Sequence, residues 1–108
     1  FMPEAGRSAT VLVHGVPAGI LDELEPGRKY RFTYLEDYPG PSVSLTMPLD
    51  RRVYEYDGFP PFFEGLLPEG DMLENLLRQN KIDSRDYFSQ LLAVGRDMVG
   101  AVSVMESR

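Results

Sequence analysis

The sequence predicts an α+β domain: a small curled antiparallel sheet of about five strands with two to three helices packed on one side. Three observations predict it. Arg28 to Tyr34 alternates strictly, with Tyr30, Phe32 and Tyr34 on one side and Lys29, Arg31 and Thr33 on the other, the period of a half-buried strand. Turn-forming residues break the first half at His14-Gly15, Pro26-Gly27 and Tyr38-Pro39-Gly40-Pro41. From Pro60 onward the apolar spacing changes to one- and four-residue steps, the signature of helices.

The elements follow in order. Phe1 to Arg7 has no periodicity and reads as a flexible leader, so residues 8–108 are expected to form the single domain. Ser8 to Val13, SATVLV, is rich in β-branched residues and predicts a strand. His14-Gly15 predicts a tight turn, because glycine reaches positive φ without strain and histidine tolerates it better than most residues. A second strand is expected over Ala18 to Leu24, closed by Pro26-Gly27 in the order a turn prefers. The third is Arg28 to Tyr34, and a short fourth is expected over Val43 to Met47, ended by Pro48.

In the second half, Pro60-Pro61 presets φ for a helix start, and Phe62, Phe63, Leu66 and Leu67 form its apolar side until Pro68 ends it. A second helix is expected to begin near Glu69 to Asp71, whose carboxylates suit a positive dipole end. Met72, Leu73, Leu76 and Leu77 would be its buried stripe and Asn80 its C-cap. Asp83 is the expected N-cap of a third helix, with Ile82 and Tyr87 as a hydrophobic staple. That helix turns Tyr87, Phe88, Leu91, Leu92 and Val94 inward and stops at Gly95. Ala101 to Met105 alternates again and predicts a last strand returning to the first sheet.

Composition narrows the function classes. The chain has 108 residues, 43% hydrophobic and 26% charged, with no cysteine and a formal net charge of -6. The absence of cysteine excludes a disulfide framework, an iron–sulfur site and a cysteine zinc site, and it fits a cytoplasmic location. No apolar run reaches the ~18–20 residues of a membrane span, so no membrane partner is expected. An acidic chain repels the phosphate backbone unless a local basic stripe compensates. The dense basic groups are Arg28, Lys29 and Arg31, which read as the solvent face of a strand, and Arg51-Arg52. No direct nucleic-acid contact is expected.

Motifs of catalysis are missing. There is no GxxxxGK[ST] or GxGxxG loop and no kinase set of strand lysine, HRD loop and DFG. Gly95-Arg96-Asp97 reads as a helix stop and turn rather than a catalytic loop. His14 is the sole histidine and sits at an expected hairpin tip with no nucleophile nearby, so a turn role is preferred. No serine lies in a GxSxG context. The carboxylates Asp22-Glu23, Glu36-Asp37, Glu55 with Asp57, and Glu69 with Asp71 are read as turn and capping groups rather than acid–base pairs. Asp83 and Asp86 lack an EF-hand ladder. No catalytic residue, cofactor or metal ligand is expected, and the chain is read as non-enzymatic. Tyr30, Phe32 and Tyr34 are read as a core face rather than a base-stacking platform. For Phe59, Pro60, Pro61, Phe62 and Phe63, core and interface readings both stand, because so dense an apolar cluster can exceed what a small core hides.

The order VHGVPAGIL, YRFTYLEDY, VSLTMPL, PPFFEGLLPEG and FSQLLAVGRDMVGAVSV resembles the N-terminal subdomain of HipA-type proteins from about Thr10 to Met105. In larger members this subdomain precedes a serine/threonine kinase core that phosphorylates an aminoacyl-tRNA synthetase and acts as a bacterial toxin. The present chain lacks that core, an arrangement similar to the tripartite HipBST system. There the subdomain is a separate HipS protein that binds the kinase HipT as its antitoxin. The resemblance therefore implies a non-catalytic antitoxin with a HipT-like kinase as partner and a HipB-like DNA-binding protein as a further member of a ternary complex. The alternative it allows is a structural subdomain excised from a single-chain HipA-type kinase. The family's catalytic residues lie in the kinase core, so none transfers. The expected partner interface is Phe62, Phe63 and Leu67 with the turn Pro68, Glu69, Gly70, Asp71 and Met72, a wedge between two helices.

Overall fold

Alternation in the third strand decides how the domain is layered, because it gives one face of the sheet its aromatic surface. The computed structural model describes residues 7–95 and 101–107. Its sheet contains β1 (Ser8–Val13), β2 (Val16–Glu25), β3 (Lys29–Tyr34), β4 (Val53–Tyr56) and β5 (Val102–Glu106), all antiparallel, in the order β4-β3-β2-β1-β5. The sheet is open. Three helices accompany it: α1 (Pro61–Glu64), α2 (Gly70–Asn80) and α3 (Tyr87–Val94). The expected α+β class stands.

The first hairpin is closed by His14 and Gly15 with φ of 51° and 80°, both in the left-handed region that a two-residue turn of this twist requires. Pro26-Gly27 makes the next turn, with Gly27 at φ 75° and the Arg28 N–H donating to the Glu25 carbonyl at 2.8 Å. Tyr30, Phe32 and Tyr34 are all buried, as the alternation predicts. Phe63 of α1 lies over Phe32 with ring centroids 6.0 Å apart, and Phe88 of α3 stacks over Tyr30 at 6.4 Å.

The fourth strand is elsewhere than expected. Val43 to Met47 forms a tight turn with a single bridge between Ser44 and Met47, and Val53–Tyr56 pairs with β3 instead. The V-S-L-T-M pattern misled because its chain folds back on itself. Val43 and Met47 point inward while Leu45, between them, points out. The Tyr34 hydroxyl fixes this turn by accepting from the Val43 N–H at 2.9 Å and donating to the Met47 carbonyl.

Two helix ends also differ. Asp86, not Asp83, caps α3, accepting from the Ser89 N–H at 3.1 Å, while the Asp83 carboxylate accepts from the Arg85 N–H in the preceding turn at 2.8 Å. The expected staple loses its register with this shift, and Tyr87 packs edge-on against Phe59 at 5.6 Å. At the end of α2 the left-handed C-cap is Lys81, with φ 55°, rather than Asn80, whose amide donates to the Leu76 carbonyl at 3.1 Å. Gly95 does end α3, but with φ of -56°; glycine is needed because a Cβ there would stand 2.0 Å from the Val104 carbonyl oxygen of β5. Arg96 and Asp97 lie outside the described residues, as does most of the expected leader.

Arg7 closes the other end of the domain. Its guanidinium donates to Glu23 Oε1 at 2.8 Å, Asp86 Oδ1 at 2.9 Å and Ser89 Oγ at 2.6 Å, and lies 4.9 Å from the centre of the Phe88 ring. Glu23 is a strand residue only 3% exposed, not the turn group the sequence suggests, and the Tyr30 hydroxyl donates to its other oxygen at 3.0 Å. β2, β3 and α3 are thus joined through one cation and two carboxylates. Hydrogen bonds donated to Glu23 raise the Arg7 pKa more than burial lowers it. Burial is the largest cause lifting Tyr30 to about 12. Burial would raise Asp86 as well, but hydrogen bonds from Arg7 and Ser89 together with the Arg7 charge bring it below the usual carboxylate range.

A depressed folded-state pKa means that the Asp86 contribution is complete above its unfolded value of about 3.9 and disappears as pH falls through the lower folded value. Denaturant titrations from pH 7 to pH 2 are expected to show a shallower acid loss of stability for Asp86→Asn than for the unaltered chain. Gly95→Ala is expected to cost about 2 kcal/mol or more by overpacking against β5, read as a lower denaturation midpoint.

Candidate partner interface

The short linker that joins α1 to α2 shapes the exposed end of the helical layer. α1 ends at Glu64 with Gly65 as its C-cap, so Leu66 and Leu67 lie in the turn beyond it. Pro68 therefore does not stop the helix as expected, and Gly70 at φ 61° reverses the chain into α2. α2 packs against α3 and has no buried residue. The expected stripe is therefore only half correct: Leu73, Leu76 and Leu77 are partly covered, whereas Met72 is 72% exposed. Its physical reason is position, since among the described residues α2 packs chiefly on α3.

Between these elements runs an open groove of about 730 Å³. It is lined by Leu66 and Pro68 from the α1–α2 linker, Met72, Leu76 and Gln79 from α2, and Ala93 and Val94 from the end of α3. The lining is mostly apolar, with amides rather than charges among its polar groups. Of the residues expected at an interface, Leu67 and Pro68 are partly exposed, and Glu69, Gly70, Asp71 and Met72 are fully at the surface. Phe62 is partly buried and packs edge-on against Phe63 at 5.1 Å. Phe63 itself is fully buried and belongs to the core, so it offers no surface to a partner. Neither Glu69 nor Asp71 caps α2 through its side chain, and both carboxylates are free to face solvent.

A second, shallower depression of about 510 Å³ lies over the Arg7 cluster. Its carboxylates Glu23 and Asp86 are each tied to Arg7 and to a hydroxyl, so they clamp elements together rather than stand ready for proton transfer. Among the described residues no group of three or more His, Cys, Asp or Glu is placed to hold a metal ion. No helix among them is long and apolar enough to cross a membrane. The basic pair also has local roles: Arg52 donates to the Tyr34 carbonyl at 3.0 Å, and Arg51 lies 5.2 Å from the centre of the Tyr54 ring.

Comparison with known proteins gives this surface its context. The family model of the HipA N-terminal domain matches residues 9–105. The chain belongs to the HipA N-terminal domain family. That domain is not the catalytic kinase domain of the kinase-toxin proteins to which the family is related. A solved structure of the "N-terminal domain of HipA toxin" superposes with a TM-score of 0.75 at 29% identity, covering 99% of this chain and 98% of that one. An "Uncharacterized protein" of Haemophilus influenzae is 34% identical, with 99% of each chain covered. "Putative kinase Y4dM" of Sinorhizobium fredii is 32% identical over 90% of this chain, which corresponds to 26% of its own length. A HipA N-terminal domain can thus match a relative nearly end to end or form a fraction of a longer protein.

Two substitutions separate surface from core in this region. Phe63→Ala is expected to cost about 3–5 kcal/mol in chemical denaturation, and Met72→Ala to stay within about 0.5 kcal/mol of the unaltered chain.

Proposed function

We propose that this chain is a non-catalytic antitoxin that binds and neutralises a serine/threonine kinase toxin of the HipT or HipA type. The observation that carries the reading is the contrast between its relatives. The same domain accounts for 99% of the Haemophilus influenzae protein and 26% of the Sinorhizobium fredii one. A domain whose surface suits a kinase in one chain can meet that kinase as a separate molecule in another system. The α1–α2 turn supports this role, since it projects Met72 beside an apolar groove with Glu69 and Asp71 flanking it. An exposed apolar residue beside a groove, rimmed by charge, has the anatomy of a contact that gains from desolvation at its centre. In this reading Glu69 or Asp71 imitates an acidic ligand of the kinase cleft. A HipB-like protein contacts DNA, and the assembly is cytoplasmic.

One observation favours a second reading, a structural subdomain of a larger kinase: the partial coverage of the Sinorhizobium fredii relative. The two differ in sign. If the chain is an antitoxin, its HipT-type kinase is toxic alone and is silenced by co-expression. If it is a structural part, that kinase is inert alone and gains activity when the chain is supplied. The antitoxin reading predicts that growth is restored by the unaltered chain and lost again with the double variant Asp71→Ala and Met72→Ala, with its fold verified by circular dichroism. Full protection by the folded double variant would remove the wedge, and failure of the unaltered chain to bind the kinase would remove the reading.

A further inference from the structure

The three helices are unequally attached to the rest of the domain. α1 places Phe63 in the core, and α3 places Phe88 and Leu91 there, all fully buried. α3 is also tied at both ends, by Arg7 between Glu23 and Asp86 and by the close fit of Gly95 on Val104. α2 buries no residue. Its Leu73, Leu76 and Leu77 are partly covered, but among the described residues none belongs to the core or packs against it. Its ends are weakly held as well. Glu69, at the N-cap, gives no side-chain hydrogen bond to the first turn, and the Leu73 N–H reaches the Glu69 carbonyl at a long 3.4 Å. At the far end Lys81 takes a left-handed φ of 55°, which strains a residue with a Cβ.

A helix of 11 residues does not hold itself, since isolated helices below about 12–15 residues are marginal in water. What keeps α2 helical is its contact with α3, and that contact hides little apolar surface. We infer that α2 is a separately opening unit, which undocks from α3 while the sheet, α1 and α3 stay folded. Met72, Leu76 and Gln79 leave with it, so undocking dismantles the groove. The domain then has two states, one with the groove and one without, and whatever binds the groove selects the docked state. This inference stands apart from the antitoxin reading and concerns the chain alone. Within that reading, the affinity of the wedge is reduced by the undocked fraction.

Amide hydrogen exchange of the free chain, followed by NMR, tests this with two variants. Val11→Ala weakens the core at a fully buried position of β1, remote in sequence from α2. It is expected to speed exchange in β2 and β3 at least about tenfold and to leave the α2 amides unchanged, because their opening does not pass through the unfolded state. Lys81→Gly relieves the left-handed C-cap and is expected to slow the α2 amides about fivefold. Should Val11→Ala not fold, urea decides on the unaltered chain. Exchange in α2 is expected to be at least about a hundredfold faster than in β2 and β3 and to change little with urea, since a small opening exposes little surface. Acceleration of α2 together with β2 and β3 in Val11→Ala, or a common urea slope for all of them, would overturn the inference. So would α2 exchange that Lys81→Gly leaves untouched, or α2 and α3 amides that open together.

Discussion

The aromatic face of β3 is the constraint on which the rest of the domain depends. Tyr30 meets Phe88 of α3 and Phe59 ahead of α1, Phe32 meets Phe63 of α1, and Tyr34 holds the turn at Val43 to Met47. Three alternate residues on one strand therefore position three separate segments. Each contact buries ring surface, where aromatic side chains contribute most per residue to a small core. The Tyr30 hydroxyl extends the same strand into the polar clamp through Glu23, so the apolar and charged parts of the core share a residue.

This division of labour bears on function. The strongest electrostatic cluster, Arg7 with Glu23 and Asp86, is spent internally: each carboxylate has its cation and a hydroxyl, and each stabilises a junction between elements. Gln90, almost completely buried, likewise donates to the carbonyls of Asp83 and Ser84 and fixes the approach to α3. The α1–α2 region leaves Met72 exposed at the groove, with Glu69 and Asp71 at the surface beside it. In the proposed role, burial of the apolar groups drives contact with the partner and the flanking carboxylates set its specificity.

Much of this was legible in the residues. The hairpin at His14-Gly15, the turn at Pro26-Gly27, the buried face of β3 and the return of the last strand all follow from local chemistry, because each depends on a short-range φ requirement or a two-residue period. What escaped depends on distance. VYEY at Val53–Tyr56 is too short to outweigh VSLTM, and only pairing with β3 reveals which of them is a strand. Glu23 reads as a surface carboxylate until Arg7 and Tyr30 are brought to it, and no local pattern announces that meeting. Asp83 is the cap its position suggests; the Ser89 N–H and Arg7 decide for Asp86. At the candidate interface the residue types indicated a dense apolar cluster, but only packing divides it into buried Phe63 and exposed Met72.

The account rests on one face of this domain meeting a kinase. Hydrogen–deuterium exchange of the chain, free and mixed at saturation with a HipT-type kinase, tests that most directly. Slower exchange confined to residues 65–76 is the predicted result. Protection on the opposite face, around Arg31 and Thr33, or no protection in a saturated mixture, would contradict it.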